Sequence, residues 1–195
     1  MNRKIEDKTI LDEFVENFCN VLEELNLKYF ICSGFVAIAH GRSRGTEDID
    51  LILEKLSEEK FFELHNSLIK NNFICMQSSD PKIIFLDYLK QGESARYVLE
   101  SEGFFTPEME IKFVKDELDE EQLNERQKLD FTGLNVYFSS IESNIAFKEE
   151  LLCSEKDLED AQHLRIIYQG KIDENKIKRL KEKIKRLLKI YASQS

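Results

Sequence analysis

Residues 33–53, SGFVAIAHGRSRGTEDIDLIL, constrain this chain more than any other stretch. They follow directly on KYFIC in KYFICS (28–33), an apolar and aromatic run that reads as a buried strand. Gly34 lets a phosphate approach the backbone closely, and a helix opening there offers free N–H groups. GFVAIAHG (34–41) suits a short helix and GRSRGT (41–46) a loop, while DIDLIL (48–53) suits a strand whose first residues reach an open end. Two residues apart on a strand, the Asp48 and Asp50 carboxylates point to the same face. Like charges that close are costly unless a cation lies between them. Mg²⁺, or Mn²⁺ in its place, is commonly held by one or two carboxylates together with substrate phosphates. Ser33 and Gly34 thus offer a phosphate cradle beside a metal clamp.

The pattern around this segment predicts an α+β fold. Ile10, Leu11, Phe14, Val15, Phe18, Leu22 and Leu25 share one face of a helix over 9–25. Ser57 caps a helix over 58–70. NFICMQ, KIIFLDYL and EMEIKFV read as further strands, residues 90–107 as a long connection, DELDEEQLNERQ as a charged helix and LNVYFS as a last strand. From Ser139 onward the chain reads as helical. Ser139 and Glu142 suggest a capping box for 140–152, Ser154 and Asp157 one for 155–169 closed by Gly170, and Asp173 a cap for the last helix. This divides the chain into a mixed-sheet unit, 1–138, and a C-terminal helical region, 139–195, packed on it.

With 42% hydrophobic and 34% charged residues, the 195-residue chain supports a folded core. It has no apolar run of membrane-spanning length and no signal-peptide core, so the expected compartment is the cytoplasm. Cys19, Cys32, Cys75 and Cys153 form no CxxC pair and no ligand spacing with His40, His65 or His163, which argues for free thiols. The net charge is −10, but residues 176–189 carry eight Lys/Arg against Glu182 alone, a local balance of +7. Such a helix is either a packing helix with a charged outer face or a contact for an RNA backbone.

Residues 33–53 resemble the signature of the nucleotidyltransferase superfamily, which includes DNA polymerase β, the minimal nucleotidyltransferases and the antibiotic adenylyltransferases. Within it the pattern resembles the subgroup around the AbiEii-type toxins, through Ser33-Gly34, Ala37, His40-Gly41, Arg44, Thr46, Asp48, Ile49 and Asp50. KEELLCSEKDLEDAQHL (148–164) is similar to that subgroup's helical Lys…Lys-Asp-Leu-x-Asp element.

The resemblance implies a nucleotidyltransferase-type mixed sheet flanked by helices. It also implies Mg²⁺-dependent transfer of a nucleoside monophosphate from an NTP to a hydroxyl, with release of pyrophosphate. Asp48, Asp50 and a third carboxylate would hold the metal. Glu110 in MEIKFV is the best match for the third, in place of the family's Asp, and Asp87 in IIFLDYL is its rival. Ser33, Gly34, Arg44, Thr46 and Lys148 would contact the nucleotide. Arg44 would otherwise pair with Asp48 or Glu47, Thr46 would hydrogen-bond its own loop, and Lys148 would be a solvated surface lysine. The acceptor is RNA (tRNA included), a protein or a small molecule. The toxin likeness adds an antitoxin partner. A nucleotide-binding module without turnover and a pure interaction protein are the competing classes.

Overall fold

The computed structural model describes residues 8–43, 45, 48–100 and 107–194. Helix α1 (Ile10–Glu24) opens on a reciprocal cap. The Thr9 hydroxyl accepts from the Asp12 N–H at 3.1 Å, and the Asp12 carboxylate accepts from the Thr9 N–H at 2.9 Å. Then follow β1 (Tyr29–Cys32), α2 (Gly34–Ala39), β2 (Asp48–Leu53) and α3 (Glu58–Lys70). Ser57 caps α3 by accepting from the Lys60 N–H at 3.2 Å. Next come β3 (Phe73–Cys75), α4 (Pro81–Ile83), β4 (Ala95–Leu99), β5 (Glu108–Phe113), α5 (Glu117–Asn124), β6 (Gln127–Lys128) and β7 (Tyr137–Phe138). Three helices close the described chain: α6 (Ile141–Phe147), which runs into a wide π turn at Lys148–Leu152, α7 (Glu155–Ile167) and α8 (Glu174–Gln194).

The seven strands form one mixed sheet in the order β3-β4-β5-β2-β1-β7-β6. β2 runs parallel to β5 and β1 parallel to β7; the other neighbours are antiparallel. Alternation in β2 buries Ile49, Leu51 and Leu53 on one face and turns Asp48, Asp50 and Ile52 to the other. On the apolar face Phe14 and Phe18 of α1 meet Phe73 edge-on at 5.6 and 5.1 Å, and Phe61 of α3 packs on Phe85 and Phe113. Each fully buried Phe contributes roughly 1.5–3 kcal/mol. Among the described residues the opposite face carries a small cluster of Phe30, Val114 and Leu123. The sheet is therefore anchored from one side and left open for a site on the other.

Residues 82–89 are not a strand. Asp80 accepts from the Lys82 N–H at 2.9 Å and Pro81 takes the first helical position, so α4 starts there and continues through a π turn, Ile84–Tyr88, and a tight turn, Leu89–Gln91. A short apolar run cannot choose between helix and strand by period alone, and here the cap and the proline decide. The missing strand is ARYVL, β4, inside the segment read as a connection; Ala95 and Tyr97 are buried and Arg96 is exposed. The cap of α6 lies one residue later than expected. Ser140, not Ser139, accepts from the Ser143 N–H at 3.1 Å, while buried Ser139 accepts from the Asn144 amide.

α7 docks against α2 through polar contacts. Arg42, just past α2, donates to the Asp160 and Glu159 carboxylates and to the Lys156 carbonyl at 3.0 Å. His40 Nε2 lies 2.8 Å from the Tyr168 hydroxyl, and His163 Nε2 lies 3.1 Å from the His40 carbonyl. The C-terminal end of α2 is thus held by α7 and the residue that follows it. Among the described residues no helix is long and apolar enough to cross a membrane.

Candidate active site

Strand register assembles the site. Cys32 pairs with Asp50, Asp50 with Glu110, and Glu110 with Arg96, so four side chains from β1, β2, β5 and β4 form one row across the open face. One step toward the strand starts, Asp48 pairs with Glu108. Four carboxylates therefore occupy a two-by-two patch, because in-register neighbours on parallel strands share a face. Two residues beyond Glu110, Lys112 returns to that same face.

The row opens into a cavity of about 230 Å³ between the sheet and the α5–α6 side of the molecule. Ser33, Asp50, Glu110 and Lys112 line its polar part, and Phe30, Ile52, Phe147, Leu151 and Leu152 its apolar part. Buried Asn144 also faces it, its amide held by Ser139 and the Ser140 carbonyl.

The two central carboxylates differ in charge environment. Burial pushes Asp50 above the usual carboxylate range; a hydrogen bond from Ser33 and the charge of Lys112 oppose this, and Glu110 and Asp48 add to it. Burial acts on Glu110 in the same direction, but Lys112 and Arg96 outweigh it and hold Glu110 below its ordinary value. Lys112 Nζ lies 2.5 Å from one Glu110 oxygen and Arg96 Nε 3.4 Å from the other. The Cys32 thiol, donating toward the Asp50 carbonyl at 3.8 Å, is pushed up by burial and is no thiolate at neutral pH.

Ser33 bridges β1 and α2 with φ 65° and ψ −135°, a conformation that favours glycine. The strain, of order 1–3 kcal/mol, is held by the strand before it and the buried helix after it. Ser33 lines the same cavity as Asp50.

Arg44 and Thr46 lie outside the described residues. Asp87 is exposed on the π turn after α4, away from the sheet. Lys148 lines the cavity but is not a solvated lysine: its side chain is 1% exposed, and Nζ is held by Asp160 at 2.8 Å and Asp157 at 3.2 Å. Sequence reading passed over Glu108 and Lys112. The signal for Glu108 was present, since E-x-E in EMEIKF has the same period as D-x-D in DIDLIL.

The donor set can be tested against a divalent cation. Asp50 is raised partly by its own acidic neighbours, the condition a cation relieves, and Asp48 stands two residues before it on the same face. Among the described residues no three His, Cys, Asp or Glu side chains stand close enough to share one ion. Asp48 and Asp50 therefore fit a site that substrate phosphates complete, whereas Glu110 is engaged by two cations of the protein itself.

No family model matches the sequence, and none of the curated proteins does. Solved structures do. The chain is similar to the solution structure of the antibiotic-resistance factor ANT(2'')-Ia, with a TM-score of 0.57 and 14% identity over 94% of this chain and 96% of that one. It is similar to ANT(2'')-Ia in complex with adenylyl-2''-tobramycin, with a TM-score of 0.54 and 19% identity over 92% and 99% of the two chains. An antigenic nucleotidyltransferase-like protein from Paracoccidioides brasiliensis gives 0.53 and 17% identity over 94% and 90%. The fold is that of the nucleotidyltransferases.

Proposed function

We propose that this protein is a Mg²⁺-dependent nucleotidyltransferase, which moves a nucleoside monophosphate from an NTP to a hydroxyl acceptor. The observation that carries the reading is Asp50, a half-buried carboxylate flanked by Asp48, Glu108 and Glu110 at the mouth of a cavity that Ser33 also lines. In this reading residues 1–138 carry the chemistry and the helices of 139–195 close the cavity.

Ser33 and the Gly34 amide bind the triphosphate. Asp48 and Asp50 hold the metal, which when bound neutralises phosphate charge and lowers the cost of displacement. The acceptor oxygen bonds to the α-phosphorus, the bond from that phosphorus to the bridging oxygen breaks, and pyrophosphate leaves. The acceptor's proton goes to Glu110, once its oxygens are released from Lys112, or to Glu108. The apolar part of the cavity excludes water from the reacting groups.

The fold neighbour seen with adenylyl-2''-tobramycin supports a small-molecule acceptor. The ion pairs that dock α8 point the same way, since they spend charges an RNA backbone would need. The likeness to AbiEii-type toxins extends the proposal to a toxin-like enzyme of the cytoplasm with an antitoxin partner. A nucleotide-binding module without turnover is the second reading, favoured by the engagement of Glu110 by Lys112 and Arg96.

Incubation of the protein with each labelled NTP, Mg²⁺ and a total extract of RNA, protein and small molecules tests both. Label transferred by the wild type and not by Asp50→Asn supports the enzyme. Metal-dependent NTP binding with no labelled product supports the module.

A further inference from the structure

The chemistry above needs Lys112 only to leave Glu110; its place in the electrostatics of the site goes further. Adjacent strands bring Asp50 and Glu110 into register on a half-buried face, an arrangement that is costly when nothing positive lies near it. Lys112 supplies the positive charge. Its ammonium lies 2.5 Å from Glu110, and its field also acts on Asp50. Arg96, directly across from Glu110 on β4, adds a second and weaker contact at 3.4 Å. The Lys112 side chain is 41% exposed, so it is not wedged in place. A flexible four-carbon stem with a compact charge can exchange a carboxylate for a phosphate oxygen, which a packed guanidinium does less readily.

We propose that Lys112 is a built-in counter-cation for the Asp50–Glu110 pair, which holds off divalent metal until a nucleotide's phosphates draw the ammonium away. The proposal rests on the nucleotidyl-transfer reading and adds an order of events to it. Without nucleotide, an incoming divalent ion meets the positive charge that pairs with Glu110 and acts on Asp50. With nucleotide, the phosphates take Lys112 as their own partner and complete the metal's oxygen shell. Metal and nucleotide then bind as one unit, and the free protein does not hold an idle metal.

Titration of the full chain with Mn²⁺, followed by the electron paramagnetic resonance signal of the free ion, tests this. Without nucleotide, Lys112→Met is expected to bind Mn²⁺ about tenfold more tightly than wild type, the size of effect that one screened unit charge at close range produces. Lys112→Arg keeps the charge and is expected to stay within about twofold of wild type on the same ground. With α,β-methylene ATP present, the wild type gains Mn²⁺ affinity and its difference from Lys112→Met shrinks. Asp50→Asn placed in the Lys112→Met background removes the gain. If nucleotide raises Mn²⁺ affinity in the wild type but Lys112→Met is no tighter without it, the counter-cation role is overturned while nucleotidyl transfer stands. If no variant binds Mn²⁺ with or without nucleotide, both readings fall.

Discussion

Glu110 lies directly across from Asp50 on the adjoining parallel strand, and the two carboxyls depart from their ordinary values in opposite directions. Burial raises Asp50. A carboxyl whose folded value lies above its unfolded value adds stability at low pH, and that contribution is lost as pH rises through the folded value. Glu110 is lowered, so its contribution is present above its ordinary value of 4.5 and lost as pH falls through the folded value. Urea unfolding of two variants should show both signs. Asp50→Asn is expected to be more stable than wild type at pH 7, with the gap closing below the ordinary value of 3.8. Glu110→Gln is expected to be less stable at pH 7 by about 1 kcal/mol, with the gap closing at low pH. Matching signs in the two variants would contradict the assignment.

Ser33 offers a test of backbone strain against function. Its φ of 65° favours glycine, so Ser33→Gly is expected to raise stability by about 1 kcal/mol, visible as a higher melting temperature. Ser33→Ala keeps the Cβ in the strained position and loses the hydroxyl, so no such gain is expected. Both variants should lose nucleotide affinity, because both lack the hydroxyl that would hydrogen-bond a phosphate. A Ser33→Gly protein that is no more stable than wild type would argue that the surrounding structure relaxes to accommodate the serine.

The same residues show what was legible in the sequence. DIDLIL alternates apolar and acidic residues, and its bounds coincide with β2. Ser57, Ser154 and Asp173 cap their helices because a side-chain oxygen ahead of an amphipathic run is a local signal. KIIFLDYL reads as a strand because its contiguous apolar residues Ile83–Leu86 carry no clear period, and ARYVL escapes notice because its alternation is one polar residue, Arg96, between Ala95 and Tyr97. What the sequence withheld is register. That Glu108 stands beside Asp48, that Lys112 reaches Glu110, and that Arg96 closes the row from β4 depend on strands separated by tens of residues. In the sequence Lys148 reads as a nucleotide contact or a solvated surface lysine; only the docking of α7 turns Asp157 and Asp160 toward it.

That docking predicts a strong coupling. Lys148 and Asp160 are 1% and 0% exposed, and Asp160 also accepts from Arg42. Removing one partner leaves Asp160 with Arg42 alone or Lys148 with Asp157 alone, so Lys148→Met and Asp160→Leu are each expected to destabilise the protein by less than the roughly 3–5 kcal/mol of a buried charge left wholly unpaired. The double variant should recover a large part of that loss, because two apolar groups of similar size replace the pair. Denaturant unfolding of the four proteins in the cycle measures the coupling. Additive losses would mean that the two charges act through other partners.

The basic helix α8 decides the acceptor class. Its apolar stripe, Ile177, Leu180 and Ile184, is buried, so the helix is held by packing. Its charges fall into two sets. Lys176 reaches Glu125 at 2.6 Å and Lys183 reaches Glu121 at 2.5 Å, whereas Arg179 and Arg186 are exposed and no ion pair among the described residues involves them. The first set docks the helix and the second faces solvent. Lys176→Gln with Lys183→Gln is expected to lower stability by about 0.5–2 kcal/mol, because exposed or half-exposed pairs contribute about 0.2–1 kcal/mol each. Arg179→Gln with Arg186→Gln should leave stability unchanged. Filter binding of total RNA across a salt series then separates the acceptors. Each phosphate contact adds about one to the salt slope, so an RNA acceptor held by the arginines would lose about two on their replacement. With a small-molecule acceptor the slope is expected to be the same in wild type and in the arginine double variant, because α8 spends its paired lysines on the protein's own glutamates. A slope that falls by two would return RNA to the acceptor's place and make the outer face of α8 its track.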